Sequence, residues 1–232
     1  MELNEFFCLS SPDSTRRRAE WSERMDFEGI SCSLDGPRAG KRLTDLDVIL
    51  PDLPVQDFVW TWYSELLLQG KVLEMFKNED LTGFGTKPVK ARFKSLAKTP
   101  PRLSELVVTG WGGVVPVESG IKLITSCPEC GYTHYTDITD PTKFKASQWD
   151  GSDFFMIWPL PKFIFITPRV AAMIKNHNLT GAIIQNIREV IKDIETAKSG
   201  FSPGRLSDWM PDARAREIGE PLGIYWPIRR PN

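Results

Sequence analysis

One twelve-residue pattern occurs twice in this chain and limits the folds open to it. "VLEMFKNEDLTG" runs from Val72 to Gly83 and "VAAMIKNHNLTG" from Val170 to Gly181, identical at seven of twelve positions and 98 residues apart. Solenoid units repeat every 20–50 residues or so, so this spacing suits a duplicated small domain instead. The flanks agree. "DFVWTWYSELLLQGK" precedes the first copy and "DFFMIWPLPKFIFITPR" the second, each with an Asp-Phe start, aromatic residues and a short apolar run.

In the second copy "KFIFIT" predicts a strand, being a continuous run of β-branched and aromatic residues. "TPRVAAMIKNHN" predicts a helix with Thr167 as N-cap and Pro168 in the first turn. Val170, Met173 and Ile174, with Leu179 after the turn, fall at core-facing spacing. Asn178 or Gly181 supplies the left-handed residue that ends it. Taken alone, "VQDFVWTWYSELLLQG" (55–70) reads as one amphipathic helix. The repeat predicts instead a strand near Leu66–Leu68 and a helix from about Lys71 to Asn78.

The cysteines follow the same repeat. About fifty residues before each "LTG" stand "SCSLDG" (31–36) and "SCPECG" (126–131). They align as C-x-x-[C/D]-G, with Asp35 where the second copy has Cys130. The expected fold is therefore α+β in two related halves, each a C-x-x-[C/D]-G turn with short strands and a helix. Residues 1–100 carry the degenerate turn, and 101–232 carry the complete one plus a C-terminal extension.

C-x-x-C-G suits a zinc knuckle. Two thiolates approach one metal from a tight turn, and the glycine adopts the positive φ that follows. A thioredoxin-like pair needs its second cysteine in a helix of a βαβ unit, whereas "GYTHYTDIT" favours turn and strand. A zinc deaminase needs H-x-E upstream of P-C-x-x-C, and both histidines, His134 and His177, lie downstream of Cys130. The candidate ligands are Cys32, Asp35, Cys127 and Cys130, with His134 as substitute for Asp35. Such a set is either a structural zinc clip or a metal-free remnant held by packing. Cys8 in "FFCLS" reads as a small buried apolar residue.

Composition narrows the functional classes. The 29 basic and 30 acidic residues leave a formal net charge of −1, without the basic excess that phosphate backbones attract. "STRRRAE" (14–20) reads as a solvated turn or a phosphate clamp. "KPVKARFKSLAK" (87–98) reads as a solvated face alternating with Val89, Phe93 and Leu96. No apolar run reaches the roughly 18 residues of a membrane span. "MELNEFFCLSS" has acids where a secretory signal carries Lys or Arg, so the expected compartment is the cytoplasm, where thiols stay reduced. Neither G-x-S-x-G, H-E-x-x-H, a P-loop nor a dinucleotide fingerprint occurs, and the expectation is that the chain is not an enzyme.

With these motifs in view the chain resembles the double-CXXCG motif family, known as myxobacterial paralogues, some of them immunity proteins of secreted polymorphic toxins. The resemblance rests on "GISCSLDG", "TSCPECG", the two "LTG" segments and the tail "SPGRLSDWMPDARAREIGEPLGIYW", from about residue 21 to 226. It departs at Asp35, which replaces the second cysteine of the first motif. It implies an immunity protein that binds a cognate toxin and blocks its active site or its substrate's access; from the charge balance and the lack of a long apolar run, neither nucleic acid nor membrane is an expected partner. The alternative is a zinc-ribbon adaptor for nucleic acid or another protein. Trp111 in "GWGG" and Trp149 in "QWDGSD" are candidate interface anchors, or else turn tryptophans folded back on the core. Asp150 and Asp153 could meet a basic toxin cleft. Specificity would lie in whatever the two halves do not share.

Overall fold

A computed structural model describes residues 6–12, 15–23, 25–34, 36–95, 98–140, 143, 148–187, 189–190 and 200–226. The fold is mixed α+β, mostly strands, with four α-helices among the described residues. The first part of the chain contains β1 (Phe7–Ser10), β2 (Glu20–Trp21), β3 (Phe27–Cys32), β4 (Gly36–Arg42), β5 (Leu46–Leu50), β6 (Phe58–Trp60), β7 (Leu66–Gln69), α1 (Gly70–Asn78) and β8 (Phe84–Phe93). The remainder contains β9 (Leu103–Val108), β10 (Gly110–Val114), β11 (Leu123–Ser126), β12 (Thr133–Tyr135), β13 (Phe154–Trp158), β14 (Ile164–Ile166), α2 (Pro168–Asn176), β15 (Ile183–Asn186), α3 (Leu206–Trp209) and α4 (Asp212–Leu222). No helix among the described residues is long and apolar enough to cross a membrane.

Two large sheets organise the chain. One has six strands in the order β2-β5-β8-β9-β7-β6, the other five in the order β10-β13-β14-β1-β15. Each draws a strand from across residue 100: β1 joins the sheet of the later residues, and β9 joins that of the earlier ones. Their placement is equivalent. β9 lies antiparallel between β7 and β8, where Glu105 faces Leu67 and Lys87. β1 lies antiparallel between β14 and β15, where Cys8 faces Phe165 and Gln185. Leu67 and Phe165, like Lys87 and Gln185, are 98 positions apart, the spacing of the sequence repeat.

Side-chain alternation across the strands separates the cores. The inner faces share one: Phe58, Trp60 and Leu68 meet Phe154, Met156 and Ile166, closed by Val72 and Phe76 of α1 and Val170 and Ile174 of α2. Phe76 holds its centre, 5.1 Å from Phe154 and 6.3 Å from Phe58, ring centroid to ring centroid. The outer face of the five-stranded sheet buries Cys8, Phe155 and Phe165. That of the six-stranded sheet buries Val48, Val59 and Leu67.

Residues common to the two repeat copies grip each other reciprocally. Thr180 donates its backbone N–H and its hydroxyl to Asp57, each at 2.8 Å. Thr82 does the same to Asp153, at 3.0 and 3.1 Å. Phe58 donates its N–H to the carbonyl of Thr180 and Phe154 to that of Thr82, both at 3.0 Å. Gly181 (φ 91°) and Gly83 (φ 80°) lie against the carbonyls of Phe58 and Phe154, where a Cβ would collide. Lys71 pairs with Asp57 and Arg169 with Asp153. The "DF" of one copy is thus the dock for the "LTG" of the other.

The local expectations from the repeat hold closely. The strand and helix of the first copy are Leu66–Gln69 and Gly70–Asn78, and the second helix is Pro168–Asn176. Both Asn178 (φ 49°) and Gly181 are left-handed. Thr167 does hold the N-cap position but makes no side-chain cap bond. Its hydroxyl donates to Asp153 instead, at 2.9 Å.

Candidate metal centre

Two small hairpins, outside both large sheets, carry the cysteines. β3 and β4 pair antiparallel and end with Cys32 opposite Gly36. β11 and β12 pair antiparallel up to Ser126 opposite Thr133, leaving residues 127–132 as the tip. In that tip the amide of Cys127 donates to the Tyr132 carbonyl at 2.8 Å, and Gly131 donates to the Cys127 carbonyl at 2.9 Å. Gly36 (φ 75°) and Gly131 (φ 71°) both take the left-handed conformation expected behind a knuckle.

The tips meet. The Sγ atoms of Cys32, Cys127 and Cys130 all lie within 4.8 Å of one another. Tetrahedral thiolates at a Zn–S distance of about 2.3 Å sit about 3.8 Å apart, so the spacing fits one ion. All three thiols are buried with Ile30, and Tyr132 packs against them. Leu34 donates its amide to the Cys32 sulfur at 3.4 Å. The Cys127 thiol is held below its ordinary pKa, chiefly by the amide of Cys130, against the opposing effect of burial. Amide donors and a lowered pKa favour the thiolate that a metal requires. Bound here, an ion would join the two hairpins, a structural role.

Asp35, the fourth expected ligand, lies outside the described residues. His134, its expected substitute, turns elsewhere: its Nδ1 is 2.8 Å from the hydroxyl of Ser202, and it is not part of the cysteine group. The β11–β12 pairing explains this, since His134 sits opposite Thr125, past the end of the tip.

The C-terminal segment braces the centre. Arg205 is buried, with its side chain only 2% exposed, and ion-pairs with Glu28 of β3 and Asp208 of α3. Its Nε donates to Asp208 at 3.0 Å and its Nη1 to Glu28 at 3.2 Å. Burial opposes its charge, but the two carboxylates outweigh that and raise its pKa. The aliphatic stem crosses Gly131, where a Cβ would strike the Arg205 Cγ. One side chain therefore connects the tail, the first hairpin and the second knuckle.

The other sequence candidates take structural places. Trp111 is buried in the shared core. Trp149 packs edge-on against Phe6, 5.1 Å between centroids, and donates Nε1 to the Ser152 carbonyl at 2.9 Å. Asp150 accepts from the Trp111 amide and pairs with Arg214, and Asp153 serves the reciprocal grip. Cys8 is buried, and burial pushes its thiol up to about 12.

Sequence reasoning missed the tip of the β6–β7 hairpin. Trp62 is 46% exposed and Tyr63 is 57% exposed there. The Arg18 guanidinium lies 5.3 Å from the Trp62 ring centre, and Trp21 stacks on Tyr63 with centroids 3.6 Å apart. Ser64 is left-handed (φ 75°), and Thr61 closes the hairpin by donating its amide to the Glu65 carbonyl at 3.0 Å. The signal was present in the repeat itself: "TWYSE" stands where the second copy has the unrelated "PLPKF".

No protein-family model matches the chain, and no curated protein matches it significantly.

Proposed function

We propose that this is an internally duplicated binding protein that neutralises a cognate secreted toxin, covering its active site or its substrate's access, with the cysteine centre as a structural clip. The observation that carries the reading is the exposed Trp62–Tyr63 pair, held in place by Arg18 and Trp21 on a turn the two repeat copies do not share. Tryptophan, tyrosine and arginine are the residues that dominate binding energy at protein interfaces, and rings already held cost little entropy to dock. The burial of all three thiols supports a clip rather than a catalytic metal, because a catalytic ion must be reached by substrate and water. That the partner is a toxin comes from the resemblance of "GISCSLDG", "TSCPECG" and the tail to the double-CXXCG family.

The test is calorimetric titration against the product of the neighbouring gene, used as a catalytically dead variant. The reading expects a one-to-one complex of nanomolar affinity, weakened at least about 30-fold, or about 2 kcal/mol, by Trp62→Ala with Tyr63→Ala. Absence of binding, or binding indifferent to both rings, counts against it.

A further inference from the structure

A cleft of about 390 Å³ opens beside the hairpin that carries Cys32, between β4, the six-stranded sheet and the C-terminal segment. That volume lies within the range of small-molecule sites, about 300–1,000 Å³. Its walls contain Trp21, Phe27, Tyr63, Tyr132 and Trp209. Among its charged residues are four cations, Lys41, Arg42, Lys87 and Lys162, and three carboxylates, Glu65, Glu105 and Asp208.

The carboxylates are already committed. Arg42 pairs with Glu105 and also reaches Glu65 at 3.8 Å. Glu65 accepts in addition from Thr61 and Trp21, and Asp208 is held by buried Arg205. Lys87 stands opposite Glu105 on the neighbouring strand, but that carboxylate is taken by Arg42. Neither Lys41 nor Lys87 forms an ion pair with a described residue. Lys41 is half-buried; burial and then the charge of Lys87 lower its pKa, despite the attraction of Asp208 and Asp212. A half-buried ammonium beside a second one, neither in an ion pair with a described residue, is stabilised by a bound anion.

We propose that this cleft binds a small organic anion, its phosphate or carboxylate held by Lys41 and Lys87 and its flat body lying along the aromatic wall. The ammonium groups supply charged donors to an oxyanion, and the rings supply apolar contact and stacking. The cleft shares Tyr63 with the proposed docking turn but not the Trp62 ring, and its test with small anions and lysine variants needs no partner protein, so its failure is distinguishable from failure of the inhibitor reading.

Calorimetry at fixed ionic strength with phenyl phosphate, benzoate, inorganic phosphate and phenol tests it. Saturable one-to-one binding is expected for phenyl phosphate or benzoate, whichever oxyanion the lysines prefer, and about tenfold weaker binding for inorganic phosphate and phenol. Lys41→Gln with Lys87→Gln should abolish it, while Lys90→Gln, on the same strand but outside the cleft, should not. An unchanged melting temperature of the double variant shows that the loss is local. No saturable binding of either ring-bearing anion, or equal binding by the double variant, overturns the proposal.

Discussion

Replacing Arg205 by methionine keeps most of the side chain's reach across Gly131 and removes its charge. Glu28, 5% exposed, is then left in the interior without a partner, and Asp208, 15% exposed, loses its bridge but regains some water. Breaking a buried pair from one side costs about 3–5 kcal/mol, mostly the penalty of the stranded charge. For a chain of this size that corresponds to a melting temperature lower by roughly 6–20 °C. Adding Glu28→Gln removes the stranded charge and should recover at least about 2 kcal/mol. Urea unfolding of wild type, both single variants and the double variant completes the cycle. A loss below about 1 kcal/mol for Arg205→Met, or a double variant no better than the single, would be incompatible with a stranded Glu28 charge. Either result would mean that the tail is not braced through this guanidinium.

Three further outcomes follow from the same geometry. Gly83→Ala and Gly181→Ala should each cost clearly more than Gly151→Ala by thermal unfolding: all three glycines are left-handed, but only the first two meet a carbonyl, while Gly151 faces open space. The shared backbone term is about 1–2 kcal/mol, so any excess measures the reciprocal grip. Burial raises the Asp57 pKa, but Lys71 and the two donors of Thr180 outweigh it and leave it below the ordinary value. Its stabilisation is therefore complete above about pH 4, the unfolded carboxyl value, and is lost as pH falls through the lower folded value. Asp57→Asn should flatten the acid limb of the stability curve, and an unchanged limb would contradict this. Thiol titration with a disulfide reagent should find Cys8 silent in the folded protein, since burial holds it protonated. Cys32, Cys127 and Cys130 should react on addition of a chelator, and prompt reaction without one would argue against a metal.

What the sequence made legible was local or repeated. "KFIFIT", the helix after it and the corrected reading of 66–78 depend on short-range periodicity and on a motif that occurs twice, so one copy corrected the other. The two knuckle glycines were readable because a left-handed turn behind a cysteine leaves a residue signature. Illegible were the pairings across distance. Nothing near Arg205 marks Glu28, 177 positions away, as its partner. Nothing in "FFCLS" says that it inserts between β14 and β15, although its apolar character correctly announced burial. The Asp-Phe and Leu-Thr-Gly motifs were visible as a repeat, but not as donor and acceptor of one reciprocal contact. His134 looked available as a ligand because sequence distance from Cys130 says nothing about hairpin register, which takes it to Ser202.

The proposal that one metal ion joins the two cysteine hairpins is tested by native mass spectrometry of protein purified without chelators, alongside Cys127→Ser with Cys130→Ser. The wild type should carry one zinc per chain and the double variant none, and chelation should lower the melting temperature of the wild type only. A metal-free wild type whose stability ignores both chelator and added zinc would contradict it, and would leave the three thiols as buried packing.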